Sequence, residues 1–412
     1  MKFFSKESFR NLVPREILRY LGPGFIVTVG FIDPGNWATN IEGGSRFGYE
    51  LLWVITLSTI MLIVLQNFSA KIGIVTGKSL AANIYSNMPK PLAGFLGFTI
   101  FIACIATDIA ELLGGALGFH LLFGLPLWVG ALLTLLIVII VIIGQKYHSI
   151  ERMILGFLSV IALCYFFELF IVKPDMATAI RSSFVPVVNY ENIFIAMAIL
   201  GAVVMPHNIY LHSNVILSRD WGSNDTEKRR LIGFERIDTL LSMGMGWIVN
   251  SSMIIVAAAV FYENGVIITS IEQASETLKP LAGNLAQLLF GIALLFSGIG
   301  SSITSSFAEA NVFTAFLGKP ENPQSTFYRI GLIATAIPAF FVIISGIDTF
   351  KILILSQLVL SIQLPFTIIP LIYLARKKKI MGDFRIKGTN FVLGLIIAAV
   401  VIGLNLYLLT SF

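Results

Sequence analysis

Apolar residues run along this chain in long stretches that short polar segments separate. Eleven stretches occur, each close to or longer than the about 20 residues that a helix needs to cross about 30 Å of hydrocarbon. Their approximate bounds are 20–45, 50–70, 93–120, 124–145, 152–172, 190–215, 237–262, 282–315, 328–346, 350–374 and 390–411. Strands of a membrane barrel would be about half as long and would alternate apolar with polar residues. The pattern predicts an all-α integral membrane protein with eleven transmembrane helices in a single domain spanning residues 1–412.

Composition and charge support this prediction and orient the chain. Of the 412 residues, 56% are hydrophobic and 12% are charged, whereas a soluble domain has roughly 25% charged residues. If the N-terminus is cytoplasmic, all but five of the 28 Lys and Arg residues fall in cytoplasmic segments. The five exceptions are Arg46, Lys173, Arg181, Lys279 and Lys351. Following the positive-inside rule, we expect a multi-pass protein of the cell membrane with an extracellular C-terminus.

Three further features carry less information. The net charge of +5 does not indicate nucleic-acid binding, because the cations cluster in short loops. The first 20 residues lack a small-residue cleavage pattern, so we expect no removable signal peptide. Cys104 and Cys164 lie within predicted spans without a CxxC partner, so we expect buried thiols.

Two apolar stretches carry helix-breaking residues. Pro34-Gly35 interrupts FIDPGNWATN, and Pro206 interrupts AVVMPHN. Proline removes a backbone hydrogen bond and glycine adds conformational freedom. In lipid the freed backbone groups must be satisfied by protein, water or ligand. Each break therefore predicts an unwound point beside a buried cavity, with a simple proline kink as the alternative.

The two breaks occupy matching places in the two halves of the chain. DPGN and MPHN align at an offset of 172 residues, in helices 1 and 6. Such a pair is typical of an inverted-repeat secondary transporter with its site at the midplane. Helices 1–5 (about 20–173) and 6–10 (about 190–374) would form the halves, with helix 11 (about 390–411) appended. The intramembrane Asp33 and Asn36 favour a functional site over a kink.

The residues at the breaks provide metal ligands. The Asp33 carboxylate and the Asn36 amide oxygen would face a carbonyl freed at the second break, for which Ala202 is well placed. Met205 adds a thioether. Oxygen ligands alone suit Mg²⁺ or Ca²⁺, whereas a soft sulfur favours Mn²⁺, Fe²⁺, Co²⁺ or Cd²⁺. The alternative for Met205 is an apolar side chain that fills a gap.

Other polar residues predict a proton route. Asp108 and Glu111 are spaced i, i+3 on one face of helix 3, where two carboxylates in a dry site would make a proton acceptor. With His207 beside the site, they could relay a proton that leaves as the metal arrives, and Asp33 is placed on the same route. The alternative is a structural role in capping or helix-to-helix hydrogen bonding.

Five further residues are weaker candidates. Glu151 and Glu168 stand at either end of helix 5. His212 is expected to hydrogen-bond structurally, and His120 and His148 stand at span ends, where a polar ring is ordinary.

Two segments are interpreted as loops. GIVTGKS at 73–79 has three residues between its glycines, one fewer than the nucleotide-binding loop requires, so it is interpreted as a turn in a loop after helix 2. SRDWGSNDTEKRR at 218–230 is interpreted as a solvated cytoplasmic loop.

Taken together, these motifs closely resemble the natural resistance-associated macrophage protein family of divalent metal transporters, nearly end to end. The matching stretches are FIDPGNWATNIEGGSRFGYELLW, LQNFSAKIGIVTGKSLA, ATDIAELLGGALGFHLLFGLPLW, GAVVMPHNIYLHS and SQLVLSIQLPF. DPGN combined with MPHN is the specific part of this resemblance.

The resemblance implies an amino-acid-transporter-like inverted repeat that imports Mn²⁺ or Fe²⁺ with protons by alternating access. It further implies roles for particular residues. Those matching the family's metal ligands are Asp33, Asn36, Ala202 and Met205, with Gln357 joining them in occluded states. Those matching its proton route are His207, Asp108 and Glu111.

The chain departs from the family pattern in places. A helix 9 arginine of some relatives has no clear counterpart, since Arg329 stands nine residues before Pro338. Val203 stands where many relatives have a hydroxyl, and some members have twelve helices. A magnesium-carrying branch lacks the methionine, so Met205 argues against that branch.

We therefore expect a proton-coupled importer of Mn²⁺, with Fe²⁺, Co²⁺ and Cd²⁺ as further substrates. We expect no enzymatic activity, cofactor, nucleic acid or obligate protein partner. An organic-solute carrier on the same fold and a metal channel or sensor remain alternatives. A membrane enzyme is disfavoured, because no nucleophile-base pair is present.

Overall fold

A computed structural model of the chain describes residues 20–144, 147–222 and 224–410. The predictions about a signal peptide and about the location of the first residues concern positions 1–19, outside these ranges. In chain order the helices are α1 Pro23–Gly30, α2 Pro34–Phe47, α3 Leu52–Thr76, α4 Leu80–Asn87, α5 Lys90–Phe123, α6 Leu127–Gly144, α7 Tyr147–Val172, α8 Met176–Ser182, α9 Ile193–Val203, α10 Pro206–Val215, α11 Asp225–Val260, α12 Ile271–Ala282, α13 Asn284–Phe316, α14 Thr326–Ala334, α15 Ala336–Ile344, α16 Thr349–Arg376, α17 Lys378–Met381 and α18 Gly388–Thr410.

The predicted spans correspond to these helices. Within the described residues, ten helical stretches are long and apolar enough to cross a membrane. The remaining predicted span, 20–45, is divided into α1 and α2, of 8 and 14 residues. Each piece is too short to cross hydrocarbon alone. The prediction of eleven transmembrane helices is confirmed.

Both predicted breaks are present. The chain leaves helical geometry after Gly30, and Asp33 in extended geometry is the N-cap of α2. It leaves again after Val203, and Met205 in extended geometry precedes α10. Proline stands at the first position of the helix after each break, where its missing N–H would have no intrahelical partner. The same local chemistry thus ends and restarts both helices.

The two loop predictions need correction. Residues 225–230 are the first turns of α11, because the Asn224 side chain accepts the Glu227 N–H at 2.9 Å and caps the helix. Gly73 to Thr76 form the last turn of α3, which ends at Gly77 with a left-handed φ of 64°. The capping residues, rather than the ends of the apolar stretches, set these boundaries.

A third break was not predicted. The ninth span is divided at Thr335, between α14 and α15. Pro338 donates no hydrogen bond to the carbonyl of Ala334, and a proline ring clashes with the carbonyl four residues earlier. Thr335 is buried and its side chain is turned toward α13.

Helix α5 runs through the middle of the bundle and packs along α13 and α16. A Cβ atom added to Gly114 of α5 would overlap the ring of Pro34, so only glycine permits this approach to the first break. Asp108 stands nearly two turns before Gly114, and Glu111 about one turn before it. The close packing therefore brings the two predicted carboxylates to the neighbourhood of the broken helices.

Candidate metal site between the broken helices

Asp33 is held at the start of α2 by the chain that follows it. Its Oδ1 accepts the backbone N–H of Asn36 at 3.0 Å, and its Oδ2 accepts that of Gly35 at 3.1 Å. Its side chain is completely buried. The carboxylate thus caps α2, whose N-terminus carries partial positive charge. These contacts hold one anionic group at the first break.

The Asn36 side chain connects the first break to the second. Its Nδ2 lies 2.7 Å from the Phe31 carbonyl oxygen, 2.8 Å from Asp33 Oδ1 and 2.7 Å from the Ala202 carbonyl oxygen. An amide nitrogen carries two hydrogens and so cannot donate a full hydrogen bond to all three oxygens. Three oxygens from both breaks therefore converge on one point.

Met205 and Gln357 complete the surroundings. Met205 is completely buried, and its sulfur accepts a hydrogen bond from Asn208 Nδ2 at 3.5 Å. Gln357 of α16 donates from Nε2 to Asp33 Oδ2 at 3.3 Å. Two buried acceptors, Asn36 Oδ1 and Gln357 Oε1, have no hydrogen-bond donor among the described residues. Hydrogen bonds thus connect Asp33, Asn36, Ala202 and Gln357, with unused oxygens among them, and Met205 lies at the second break three residues after Ala202.

This arrangement suits a cation better than a carboxylate ligand. The first two N–H groups after the break, those of Gly35 and Asn36, already donate to Asp33. A substrate carboxylate would need such groups free, and it would be repelled by Asp33. Carboxylate, carbonyl and amide oxygens beside a thioether are ligands for a divalent transition metal.

The predicted proton residues lie around the site. His207 is completely buried, and its Nδ1 is 3.1 Å from the Thr107 hydroxyl of α5. Glu111 accepts a hydrogen bond from the Ser305 hydroxyl of α13 and lies within electrostatic range of Asp33. His207 of the second broken helix therefore contacts α5, and Glu111 connects α5 to α13.

Glu309 of α13 was missed by the sequence reasoning. Its Oε2 accepts the Thr335 hydroxyl at 3.0 Å, and its carboxyl is a neighbour of that of Asp108. Both carboxyls, like Glu111, are buried, and none of the three forms an ion pair with a described residue. An acidic residue in the apolar stretch 282–315 was the signal that could have identified it.

The weaker candidates take structural positions. His212 contacts Gln66 Oε1 at 3.0 Å and Glu235 Oε1 at 2.8 Å, as expected of a structural histidine. His120 contacts the Leu125 carbonyl oxygen at 2.8 Å, at the end of α5.

Glu151, Glu168 and His148 belong to α7. Glu151 pairs with Arg219 and lies 3.2 Å from His148. Glu168 is buried, and neither of its oxygens has a partner among the described residues. The two thiols expected to be buried, Cys104 and Cys164, are buried and free.

The two ends of the bundle differ. At one end the N–H groups of Gly22 and Gly24, in the first turn of α1, donate to the Asp238 carboxylate of α11 at 3.0 and 2.7 Å. At the other end a cavity of about 400 Å³ opens between α2, α9 and α16, with Arg46, Phe194 and Lys351 in its wall. The same three helices carry Asn36, Ala202 and Gln357.

The chain is similar to known membrane transporters along most of its length. A family model described as natural resistance-associated macrophage protein-like matches residues 24–411. The divalent metal cation transporter MntH of Caldanaerobacter subterraneus subsp. tengcongensis is 42% identical over 403 residues, covering 97% of this chain and 94% of that protein. The protein of the same name from Bacillus subtilis is 38% identical, covering 98% and 93%.

Solved structures agree. A crystal structure of a mutant of the Eremococcus coleocola manganese transporter matches with a TM-score of 0.85 and 27% identity, covering 100% of this chain and 89% of that one. Mhp1, a nucleobase-cation-symport-1 family transporter, matches with a TM-score of 0.64 and 16% identity, covering 95% and 93%. That second likeness concerns the fold alone. From the family match and the full-length relatives, the chain belongs to the natural resistance-associated macrophage protein family.

Proposed function

We propose that this protein imports Mn²⁺ and related divalent transition metals, Fe²⁺, Co²⁺ and Cd²⁺, together with protons across the cell membrane. Its relatives are named divalent metal cation transporters, and a similar solved structure is that of a manganese transporter. The observation that carries the proposal is the convergence of the Phe31, Asp33 and Ala202 oxygens on Asn36 Nδ2.

Rotation of the Asn36 side-chain amide by half a turn would place its acceptor oxygen where its donor nitrogen now lies. Its Oδ1, which has no donor among the described residues, would then join the converging oxygens. A divalent cation would replace the two N–H groups as the positive partner of those oxygens. Met205 would supply the soft ligand, which discriminates against Ca²⁺ and Mg²⁺.

Metal uptake tests the site. Liposomes containing the purified protein, a metal-sensitive dye and a pH dye would receive Mn²⁺ outside. We expect saturable uptake that Asp33→Ala abolishes. Met205→Ala should lower the preference for Mn²⁺ over Ca²⁺ by on the order of tenfold, the effect of about 1.4 kcal/mol of lost binding free energy.

Met197→Ala is the matched control, because Met197 is a buried methionine of α9 away from the break. Its Mn²⁺ preference should remain that of the wild type. An unchanged preference in Met205→Ala would remove the role of the sulfur. Failure of folded wild-type protein to take up any metal would favour the organic-solute alternative.

Proton coupling is supported by the buried carboxyls of Asp108, Glu111 and Glu309. Three buried carboxylates without an ion-paired cation would repel one another, and no interaction would offset the free-energy cost of removing their charges from water. Neighbouring buried carboxyls disfavour each other's charged form, so this cluster would hold at least one proton. Protons held by these groups, together with Asp33 and His207, would move when metal binding adds positive charge to the site.

Glu309→Gln tests this route, because glutamine keeps an oxygen for the Thr335 hydroxyl but holds no exchangeable proton. We expect Mn²⁺ uptake to persist while the protons carried per metal fall severalfold. Glu168→Gln, which removes a buried carboxyl of α7, should leave the ratio unchanged. Identical ratios in the wild type, Glu309→Gln and Asp108→Asn would contradict the route.

Alternating access is supported by the contrast between the two ends of the bundle. The open cavity belongs to the end that the charge distribution assigns to the extracellular side, and the Asp238 contacts belong to the opposite end. Release of metal inward would require α1 to leave α11, with residues 31–33 as the hinge.

A further inference from the structure

A second cavity, of about 280 Å³, lies between α3, α11 and the start of α18, near the C-terminal end of α3. Its polar wall consists of Lys71 and Asn67 of α3, Arg236 of α11 and Asn390 of α18. The rest of its wall is aliphatic or aromatic, with Phe68 and Leu240 among the members. The cavity therefore combines cationic and amide groups with an apolar surface.

Within the described part of the chain, the Lys71 and Arg236 side chains of this cavity form no ion pair with a carboxylate. Arg236, Arg229 and Lys387 are the charged groups close enough to Lys71 to act on it, and all three are cations. Among residues 20–144, 147–222 and 224–410, no Asp or Glu lines the cavity. Four cations without a counter-charge repel one another, and an anion among them would relieve that repulsion.

The acidic residues of α11 nearest to Arg236 are engaged elsewhere. Glu235 pairs with His212 and accepts the Thr239 hydroxyl. Asp238 accepts the N–H groups of Gly22 and Gly24. Their contacts point them away from the cavity, so neither of these two carboxylates of α11 balances its positive charge.

Along α3 and α11, the side chains change from charged at the cavity to apolar and exposed toward the middle of the span. On α3, Lys71 and Asn67 are followed toward the middle of the span by Val64 and by Ile60, which is 56% exposed. On α11, Arg236 is followed by Leu240, which is 57% exposed. Apolar side chains exposed on membrane-spanning helices face acyl chains. The cavity therefore opens onto the lipid at the level where headgroups end and acyl chains begin.

We propose that this cavity, which we name the Lys71 pocket, binds the phosphate of an anionic phospholipid from the leaflet at the Lys- and Arg-rich end of the bundle. Lys71 and Arg236 pair with the phosphate, the amides of Asn67 and Asn390 hydrogen-bond to the headgroup, and one acyl chain lies along Leu240 and Ile60. Basic pockets between transmembrane helices suit such headgroups. The site does not depend on what the protein transports.

The lipid would add a link between helices that already pack against each other and share the hydrogen bond from Trp247 Nε1 to the Thr56 hydroxyl, at 3.0 Å. α3 and α11 are the second helix of the first half and the second helix of the second half. A headgroup held by both, and by the start of α18, would keep their ends at a fixed separation. Its binding is therefore expected to stabilise the whole bundle.

Native mass spectrometry of the full-length, delipidated protein tests the proposal. The protein would be titrated with phosphatidylglycerol, phosphatidylcholine or inorganic phosphate. Each basic residue near a membrane surface contributes about 1 kcal/mol to binding of anionic lipid. We therefore expect phosphatidylglycerol to bind the wild type roughly thirtyfold more tightly than it binds Lys71→Gln/Arg236→Gln. Phosphatidylcholine should not distinguish the two proteins.

Two further variants serve as controls. Lys71→Arg/Arg236→Lys keeps both charges and should keep the preference for phosphatidylglycerol. Lys78→Gln/Lys319→Gln removes two charges at the same end of the bundle outside this cavity and should also keep it. Melting temperature without lipid identifies any variant that fails to fold, in which case each single Gln variant, expected to lose about fivefold, replaces the double variant.

Three results would overturn the proposal. The first is an unchanged preference for phosphatidylglycerol in a folded Lys71→Gln/Arg236→Gln protein. The second is an equal loss of preference in Lys78→Gln/Lys319→Gln, which would mean that net charge alone attracts the lipid. The third is competition by millimolar inorganic phosphate, which would make the pocket a site for free phosphate.

Discussion

Asp238 provides the sharpest test of how the protein opens. Its carboxylate is completely buried and accepts two N–H groups from the first turn of α1, those of Gly22 and Gly24. Asn in its place retains one acceptor oxygen and loses the negative charge beside the N-terminus of α1. A hydrogen bond to a charged group contributes about 1.5–3 kcal/mol. We therefore expect Asp238→Asn to favour release of α1 by about 2 kcal/mol, roughly thirtyfold in population.

A thiol at Val27 would report this release. Val27 lies on α1 and is completely buried, so a Val27→Cys thiol should react with maleimide only when α1 leaves α11. The two native cysteines are buried and would react slowly. In inside-out vesicles the labelling rate of Val27→Cys should rise by roughly thirtyfold with Asp238→Asn. With Asp238→Ala, which removes both acceptors, it should rise at least as much.

Asp225→Asn is the control, since it removes an exposed carboxylate from the same helix. Its labelling rate should equal that of the parent Val27→Cys protein. Equal rates in the parent and in a folded Asp238→Asn variant would refute the assignment of Asp238 as the residue that holds α1 closed. Equal increases in both variants would show a general effect of charge on α11 instead.

Two further predictions concern packing and pH. Gly114→Ala should lower the free energy of unfolding by about 1–3 kcal/mol, because the new methyl group overlaps Pro34. Gly94→Ala on the same helix places its methyl group in open space and should be neutral or stabilising. Melting temperatures in detergent distinguish the two variants. Burial raises the pKa of Glu321, in the loop after α13, above its ordinary value of 4.5 despite hydrogen bonds from Ser79 and Asn214. The folded state then binds this proton more tightly than the unfolded state, so stability should fall as pH rises from 4.5 through the raised pKa. The melting temperature of Glu321→Gln should lack that component, and parallel pH profiles for the two proteins would contradict the prediction.

The fold could be predicted because its strongest signals are local. The thickness of a bilayer sets the length of each apolar stretch, and Pro34 and Pro206 mark their breaks without reference to the rest of the chain. Asp33 could be identified for the same reason, since its capping contacts are with Gly35 and Asn36, within the next three residues. Such features depend on neighbours in sequence.

The features that could not be predicted from local sequence depend on residues that are close in space but distant in sequence. Gln357 lies 324 residues from Asp33 in sequence, and only the family resemblance identified it. Glu309 acquires its role from Asp108 of α5 and from Thr335 at an unpredicted break. No periodicity in a single helix reveals which two other helices will supply such partners. The boundaries at Asn224 and Gly77 likewise depended on capping, which an apolar pattern does not register.

Asn36 Nδ2, which lies near three oxygens, has a consequence for the part of the proposed transport cycle in which no metal is bound. A carrier that has delivered its cargo must return, and oxygens gathered for a cation would then push one another apart. The two amide hydrogens of Asn36 substitute for the missing positive charge and keep the Phe31, Asp33 and Ala202 oxygens assembled. In the proposed alternating-access cycle the metal would have to displace these two hydrogens, which would weaken apparent affinity but let the unloaded protein return. Replacing Asn36 by Asp would remove these hydrogens and should slow the return of the unloaded carrier more than its loaded passage.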